Sequence, residues 1–378
     1  MNRTEDGPHV RPVPLDSSYA ERGHRFAICV PVRNEEVLLP RFLGSIAALN
    51  MDRCEPPELF IAFDSCTDGS EKIVTEHVQA GFPFKVHRVT LSPSAVPNAG
   101  RARGAAMDAA VSDTRELAAT HILTTDADSI VAPNWLQAHV AGFRHADVIA
   151  GLVRRTRTCE NPGNTHFSPR DDLETYLERL HRFRRRIDPI HYDAHPSHPY
   201  ASGASIGITR EGYRMLEGLP RLPNGEDEAL VRRARLHGLR VRQDCNVQVR
   251  TSDRRDGRAT AGLAAALRSL DDDTRRREPI LVEDPRDAAE HYRRQGASRS
   301  AFARIRSELD AWRHALRIEQ DGAEVVRAWR ESTTADAFVI RIAPDTGPRS
   351  AIALAEASVI LQTLETSPDV QYRQVACL

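Results

Sequence analysis

Asp126 and Asp128, one alanine apart, close the apolar run HILTT at 121–125. Two carboxylates at a strand end can reach one hard cation, and Mg²⁺ or Mn²⁺ takes such oxygen ligands while keeping positions for substrate phosphates. Two solvated loop aspartates read the same way in isolation, so the neighbouring motifs decide. Phosphatases with an aspartyl nucleophile also carry an Asp-x-Asp, but it opens the first strand of its domain; here three strand–helix units come first. Two polar turns precede the pair, VRNEE at 32–36 and DSCTDG at 64–69. Glu35 and Asp64 sit nearest the strand ends, with Arg33 beside them, where carboxylates pair with ribose hydroxyls or base N–H groups. Thr67, Asp68 and Gly69 read as caps and turn. NAGRARG at 98–104 opens a helix with small residues and cations, a place where free N–H groups and the helix dipole favour phosphate. Arg103 is one choice for the charge contact and Arg101 the other. GEDE at 225–228 places three acids in a first helical turn. Acids there complement the dipole, and in a sugar transfer one would deprotonate the attacking hydroxyl.

The elements that must position these residues are legible from periodicity. FAICVPV, ELFIAFDS, FKVHRVTL and HILTTDADSI read as strands, each followed by helical spacing. The first helix places Val37, Leu38, Phe42 and Ile46 on one face, and the second places Ile73, Val74 and Val78 inward. AGRARGAAMDAAV and the stretch from Asn134 are helical, with Trp135 as packing. DVIAGLVRR and LRVRQDCNVQVRTS are further strands, DDLETYLERLHRFRRRI is an amphipathic helix, and ASGASIGITR is a small-residue strand or turn. The alternation predicts an α/β fold: a mostly parallel twisted sheet with helices on both faces, plus a mainly helical C-terminal region. Residues 1–24 form an N-terminal arm, 25–262 the α/β domain and 263–378 the C-terminal region. In the last, DAFVIRIAP reads as strand and SAIALAEASVILQTLE as amphipathic helix.

Composition narrows the partners. Net charge is −1, which argues against nucleic acid or anionic lipid as a partner. Lys72 and Lys85 are the only lysines, so arginine carries the positive charge. Cys29, Cys54, Cys66, Cys159, Cys245 and Cys377 form no CxxC pair and read as reduced thiols. The polar start is no signal peptide, and no apolar run approaches the ~20 residues of a membrane span. The expected location is cytoplasmic.

Taken together, VPVRNEE, FDSCTDGS, NAGRARG, TTDADS and GEDEAL, in this order over 26 to about 260, resemble the family 2 glycosyltransferases of GT-A fold. The resemblance implies a nucleoside-diphosphate sugar donor, a metal and inversion at the anomeric carbon. Pro31, Glu35 and Asp64 would hold the nucleoside, Asp126 and Asp128 would serve ribose and metal, and Asp227 would be the base, with Glu226 beside it. The chain departs from the family pattern in three places. Arg33 stands where an aromatic residue is usual, Phe63-Asp64-Ser65 replaces Asp-Asp-Gly, and Gly104 replaces an asparagine. The QxxRW motif of processive synthases is missing, which implies transfer of one sugar. In glycosyltransferases of this fold a mobile loop after the last strand closes over the donor, so Arg254, Arg255 or Arg258 would clamp the diphosphate; the plain reading of the same polar segment is a solvated basic linker. His191, His195 and His198 read as exposed loop residues. The rival functions are a nucleotidyltransferase, which lacks support because VRNEEVLLP has no glycine, and a non-catalytic nucleotide-sugar-binding scaffold. The acceptor (small molecule, lipid-linked group or glycan) and homo-oligomerisation are left open.

Overall fold

The computed structural model describes residues 24–52, 54–92, 97–112, 120–156, 169–254, 263–276, 278–302, 322–345 and 349–367. Its elements begin β1 (Phe26–Val32), α1 (Leu39–Ala47), β2 (Glu58–Phe63), α2 (Ser70–Gln79), β3 (Lys85–Thr90), α3 (Ala99–Ser112), β4 (His121–Thr124) and β5 (Ile130–Val131). Next come α4 (Trp135–Phe143), β6 (Val148–Thr156), α5 (Pro169–Ile187), a 3-10 turn (Gly203–Ser205), β7 (Ile206–Thr209), α6 (Arg210–Met215), α7 (Glu226–Leu236) and β8 (Val241–Ser252). The C-terminal region adds α8 (Leu263–Arg276), β9 (Leu281–Glu283), α9 (Pro285–Ala301), α10 (Gly322–Arg330), α11 (Ala335–Ile342), β10 (Ala351–Ala353) and α12 (Leu354–Thr366).

Strand β1 is buried along its whole length, as its unbroken apolar run requires. Phe26, Ile28, Val30 and Val32 pack on one face with Leu39, Phe42, Leu43 and Ile46 of α1. Ala27 and Cys29 pack on the other with Ala102, Ala106 and Ala110 of α3. Small side chains on both surfaces let this helix lie close to the sheet.

The sheet has eight strands in the order β3-β2-β1-β4-β7-β6-β8-β5. Strands β3, β2, β1 and β4 are mutually parallel, β7 is antiparallel to both β4 and β6, β8 is parallel to β6, and β5 is antiparallel to β8. Only β7 and β5 therefore run against the rest. The carboxyl ends of β1, β2, β4, β6 and β8 share one edge, and reversed β7 brings its amino end, with the 3-10 turn, to that edge. The mostly parallel GT-A-like sheet with helices on both faces is the expected fold.

Several local expectations differ. Helix α1 starts at Leu39 rather than Glu35, and Val37 is 79% exposed; Val78 also faces outward. DAFVIRIAP is not a strand: Thr334 Oγ1 caps Ala337 N at 3.2 Å, and α11 buries Phe338 and Ile342, four residues apart. The C-terminal region also holds a two-stranded antiparallel pair, β9 with β10. Residues 1–23 of the expected arm lie outside the described residues, and His24 makes an isolated bridge to Cys54. The C-terminal helices pack on the α/β core through α5, whose Tyr176, Leu180 and Phe183 share a cluster with Tyr292 of α9 and Leu361 of α12. Arg299 grips Asp188 at 2.7 and 3.0 Å, and α11 packs against α7, with Arg341 Nη1 3.4 Å from the Leu236 carbonyl.

Five of the described histidines are buried, His121, His139, His181, His198 and His291, and the first four are held below their ordinary value. Burial pushes His121 down to about 3 and His139 and His198 to about 4, and lowers His181 as well. Unfolded imidazoles take up protons near 6.5, so between pH 6.5 and 4 the unfolded chain binds protons that the native state refuses. Stability is full above 6.5 and falls with falling pH, by about 1.4 kcal/mol per pH unit for each histidine at most. Burial pushes Asp336 up to about 7 and Asp128 to about 6, and these two carboxyls work in the opposite sense. Burial raises Asp147 and Glu226 as well and lowers His24, but the four large histidine shifts outweigh the raised carboxyls, so the midpoint of urea unfolding falls steadily from pH 6.5 to 4.5. A flat midpoint across that window contradicts the histidine burial.

Candidate active site

The turns after β1 and β2 are laced together. Asn34 and Ser65 both take left-handed backbone angles, φ 53° and 56°, which short polar side chains tolerate. Asn34 Oδ1 accepts from Thr67 N at 2.8 Å, Asp68 Oδ2 from Glu36 N at 3.0 Å, and Glu36 Oε2 from Gly69 N at 2.8 Å. Ser70 Oγ accepts from Glu35 N at 2.8 Å. Thr67, Asp68 and Gly69 thus act as caps and ties, and the lacing fixes the backbone on which Glu35 and Asp64 stand.

A cleft of about 760 Å³ runs along the shared strand edge. Pro31, Arg33, Glu35 and Asp64 line one end of the motif series, Asp126 and Asp128 follow, and Glu226 and Asp227 line it from α7. Asp64 is 1% exposed; its Oδ1 accepts from Arg101 Nη1 at 2.8 Å, while its Oδ2 is buried with no hydrogen-bond partner. Arg33 Nε is likewise buried without a partner, and its Nη1 lies 3.5 Å from the Pro97 carbonyl.

Asp126 and Asp128 differ in environment. The Asp126 side chain is 33% exposed and that of Asp128 13%. Asp128 Oδ1 accepts from Thr251 Oγ1 at 3.1 Å, and its Oδ2 lies 3.2 Å from Arg254. Burial, and then the charge of Asp126, push the Asp128 carboxyl up to about 6. Arg254 also grips both oxygens of Glu35, with Nη1 2.6 Å from Oε2 and Nη2 on Oε1. Arg255 and Arg258 lie outside the described residues.

Arg103 does not stand free at the start of α3. It is 4% exposed and turned inward, donating Nε to Thr124 Oγ1 at 3.1 Å, Nη2 to Asp126 Oδ1 at 2.6 Å and Nη1 to Glu226 Oε1. Burial raises the Glu226 carboxyl, and Arg103 opposes that shift. Asp227, half-buried in the first turn of α7, accepts from Gly203 N at 2.8 Å and from Glu228 N at 2.9 Å.

Arg154 and Arg155 also line the cleft, and the sequence reading passed over them. Their signal was the one that picked out the Asp pair: charged residues closing a buried strand. His191 and His195 are exposed, but His198 is buried, with Nε2 3.1 Å from the Ala150 carbonyl and Nδ1 accepting from Tyr200 N at 3.2 Å. Its ring is a structural tie. Trp135 is fully buried in the core.

Residues 27–205 match the family model described as glycosyl transferase family 2. The match covers just under half of the chain, and that segment is similar to glycosyl transferase family 2. Solved structures similar to this chain include Staphylococcus aureus TarS 1–349 in complex with UDP-GlcNAc, at 15% identity and TM-score 0.45, covering 93% of this chain and 92% of that one. The mannosyltransferase PcManGT from Pyrobaculum calidifontis, in complex with GDP-Man and Mn²⁺, is 14% identical at TM-score 0.44, covering 92% and 82%. Glucosyl-3-phosphoglycerate synthase from Mycobacterium tuberculosis, with Mn²⁺, UDP and glucosyl-3-phosphoglycerate, is 17% identical at TM-score 0.37, covering 66% and 77%. Among curated proteins none matches.

In the matched segment, the donor set at Asp126 and Asp128 suits a hard divalent cation. Such ions are held by one or two carboxylates and complete their shell with water and substrate phosphate. Among the described residues no group of three or more His, Cys, Asp or Glu is placed to enclose a metal.

Proposed function

We propose that the chain moves a single sugar from a nucleoside-diphosphate sugar to an acceptor hydroxyl, in a metal-dependent reaction that inverts the anomeric carbon. The observation that carries this reading is the convergence on one cleft of Glu35, Asp64, the Asp126/Asp128 pair and Asp227, from the ends of β1, β2 and β4 and the first turn of α7.

In this reading the nucleoside lies against Pro31, Arg33, Glu35 and Asp64. The buried, unpartnered Asp64 Oδ2 would accept a base N–H, and Arg33 Nε would donate to a base carbonyl. Asp126 and Asp128 would hold Mn²⁺ or Mg²⁺, which supplies neutralisation of the leaving diphosphate. Arg254, whose fork is held by Glu35 with Asp128 in reach, would turn from Glu35 to phosphate oxygens when the donor binds, with Arg255 and Arg258 as further cations.

Asp227 carries the proton transfer. Two backbone N–H groups donate to its carboxylate and hold it in place at the first turn of α7, on the wall of the cleft. As the acceptor oxygen bonds to the anomeric carbon, its proton passes to Asp227 and the bond to the diphosphate breaks on the opposite face. Positioning and charge complementarity supply most of the acceleration.

The 25–262 segment would form the transferase, and the C-terminal helices would brace α7 through α11. Among the described residues no helix is long and apolar enough to cross a membrane. Incubation with UDP-, GDP- and dTDP-sugars tests the proposal. One nucleotide family releases its nucleoside diphosphate in the presence of Mn²⁺, with water taking the sugar in place of the acceptor hydroxyl, and EDTA stops the release. No release from any of them, with or without metal, contradicts it.

A further inference from the structure

We propose that Arg103 is a positioning residue that holds the donor-side carboxylate Asp126 and the acceptor-side pair Glu226–Asp227 in one rigid frame; this rests on reading the cleft as a glycosyl-transfer site. Three elements meet at its guanidinium: β4 through Thr124 and Asp126, α7 through Glu226, and α3, which carries the arginine itself. Each of the Nε, Nη1 and Nη2 nitrogens has a separate oxygen partner. Planarity then fixes the directions of all of them at once.

Two glycines are shaped around this arrangement. A Cβ on Gly203 would lie 2.3 Å from Arg103 Cζ, and one on Gly100 would lie 2.8 Å from Glu226 Cδ. Both approaches are closer than real Cβ atoms come, so any side chain at either position displaces the pair. Gly203 has a second task, because its N–H donates to Asp227 Oδ2 at 2.8 Å. The guanidinium packed on Gly203 therefore also sets where Asp227 is pinned. The frame runs from Asp126 through Arg103 to Glu226, and through Gly203 to Asp227.

Charge acts in the same direction. Asp126, Glu226 and Asp227 all act electrostatically on Arg103, and without its cation these carboxylates repel each other across a partly dry site. Lysine keeps the charge but offers one compact ammonium in place of the fork, so it cannot hold Asp126 and Glu226 in their present directions. A displacement of about 1 Å between reacting groups costs about 100-fold in rate.

The test compares wild type, Arg103→Lys and Arg103→Gln by steady-state release of diphosphate from UDP- and GDP-sugars with Mn²⁺, and by calorimetric titration of UDP and GDP. We expect kcat to fall about 100-fold in Arg103→Gln and about tenfold or more in Arg103→Lys, with donor KM and nucleotide affinity within about fivefold of wild type. That split separates positioning from simple loss of fold, which would lower binding as well. Should Arg103→Gln fail to fold, Arg103→Lys decides. A folded Arg103→Lys with kcat within about twofold of wild type, or a loss confined to KM, overturns the proposal. A wild type inactive on every nucleotide sugar overturns the glycosyl-transfer reading and this proposal with it. That outcome is distinct from an active wild type with an indifferent Arg103.

Discussion

Asp227→Asn lowers diphosphate release from the donor sugar by about 10²–10⁴-fold while nucleotide affinity stays within about threefold of wild type. The amide fills the same space, but its one oxygen can accept from only one of Gly203 N and Glu228 N, which bond separate oxygens of the carboxylate, so the variant keeps α7 in place with one of these ties lost. What it loses is the capacity to take the acceptor proton as the new bond forms. Donor binding survives because Asp64, Glu35 and the Asp126/Asp128 pair stand on other elements. Glu226 does not substitute for it, since Arg103 occupies that carboxylate. Calorimetry with the nucleoside diphosphate beside the release assay checks both halves. Turnover near the wild-type rate would remove Asp227 from the base role.

Asp128→Ala abolishes the Mn²⁺-dependent part of nucleotide binding. At a hundredfold excess over Kd, a ligand that binds only the native state adds about 2.7 kcal/mol, which in a chain of this size is a rise of about 3 °C. Wild type should show that rise with the right nucleoside diphosphate and Mn²⁺, and the variant only what the nucleotide gives alone. A pH dependence accompanies it. The Asp128 carboxyl sits at about 6, raised by burial and by Asp126, so below that value a proton competes with the cation. Apparent Mn²⁺ affinity then falls by up to about tenfold per pH unit as pH drops below 6, and is steady above about 7. An affinity for Mn²⁺ that Asp128→Ala leaves unchanged would move the metal elsewhere.

The legible and illegible parts of this molecule divide along sequence separation. FAICVPV was readable as strand because β1 is buried on both faces and therefore carries no polar alternation. Asp64 and Asp126 stood out because each follows such a strand directly. DAFVIRIAP misled because a short apolar run carries no decisive period; the Thr334 cap, three residues before Ala337, was the local signal for helix. Val37 misled because helical spacing was counted from Glu35, although the chain turns before Leu39. The charge pairs were out of reach altogether. Arg254 meets Glu35 across 219 residues, and Arg103 meets Glu226 across 123. A helix N-terminus rule pointed Arg103 toward phosphate, and tertiary pairing turned it inward. Reversed β7, which delivers Gly203 to the cleft, likewise depends on sheet order rather than on local pattern.

The most direct measurement is isothermal titration of UDP, GDP and dTDP into the wild-type chain, each with and without Mn²⁺ at pH 7.5. A nucleotide-sugar-dependent transferase with a carboxylate-held metal predicts that one of these nucleotides binds, with an affinity at least about tenfold higher when Mn²⁺ is present. No binding by any of them, with or without metal, contradicts the account at its centre.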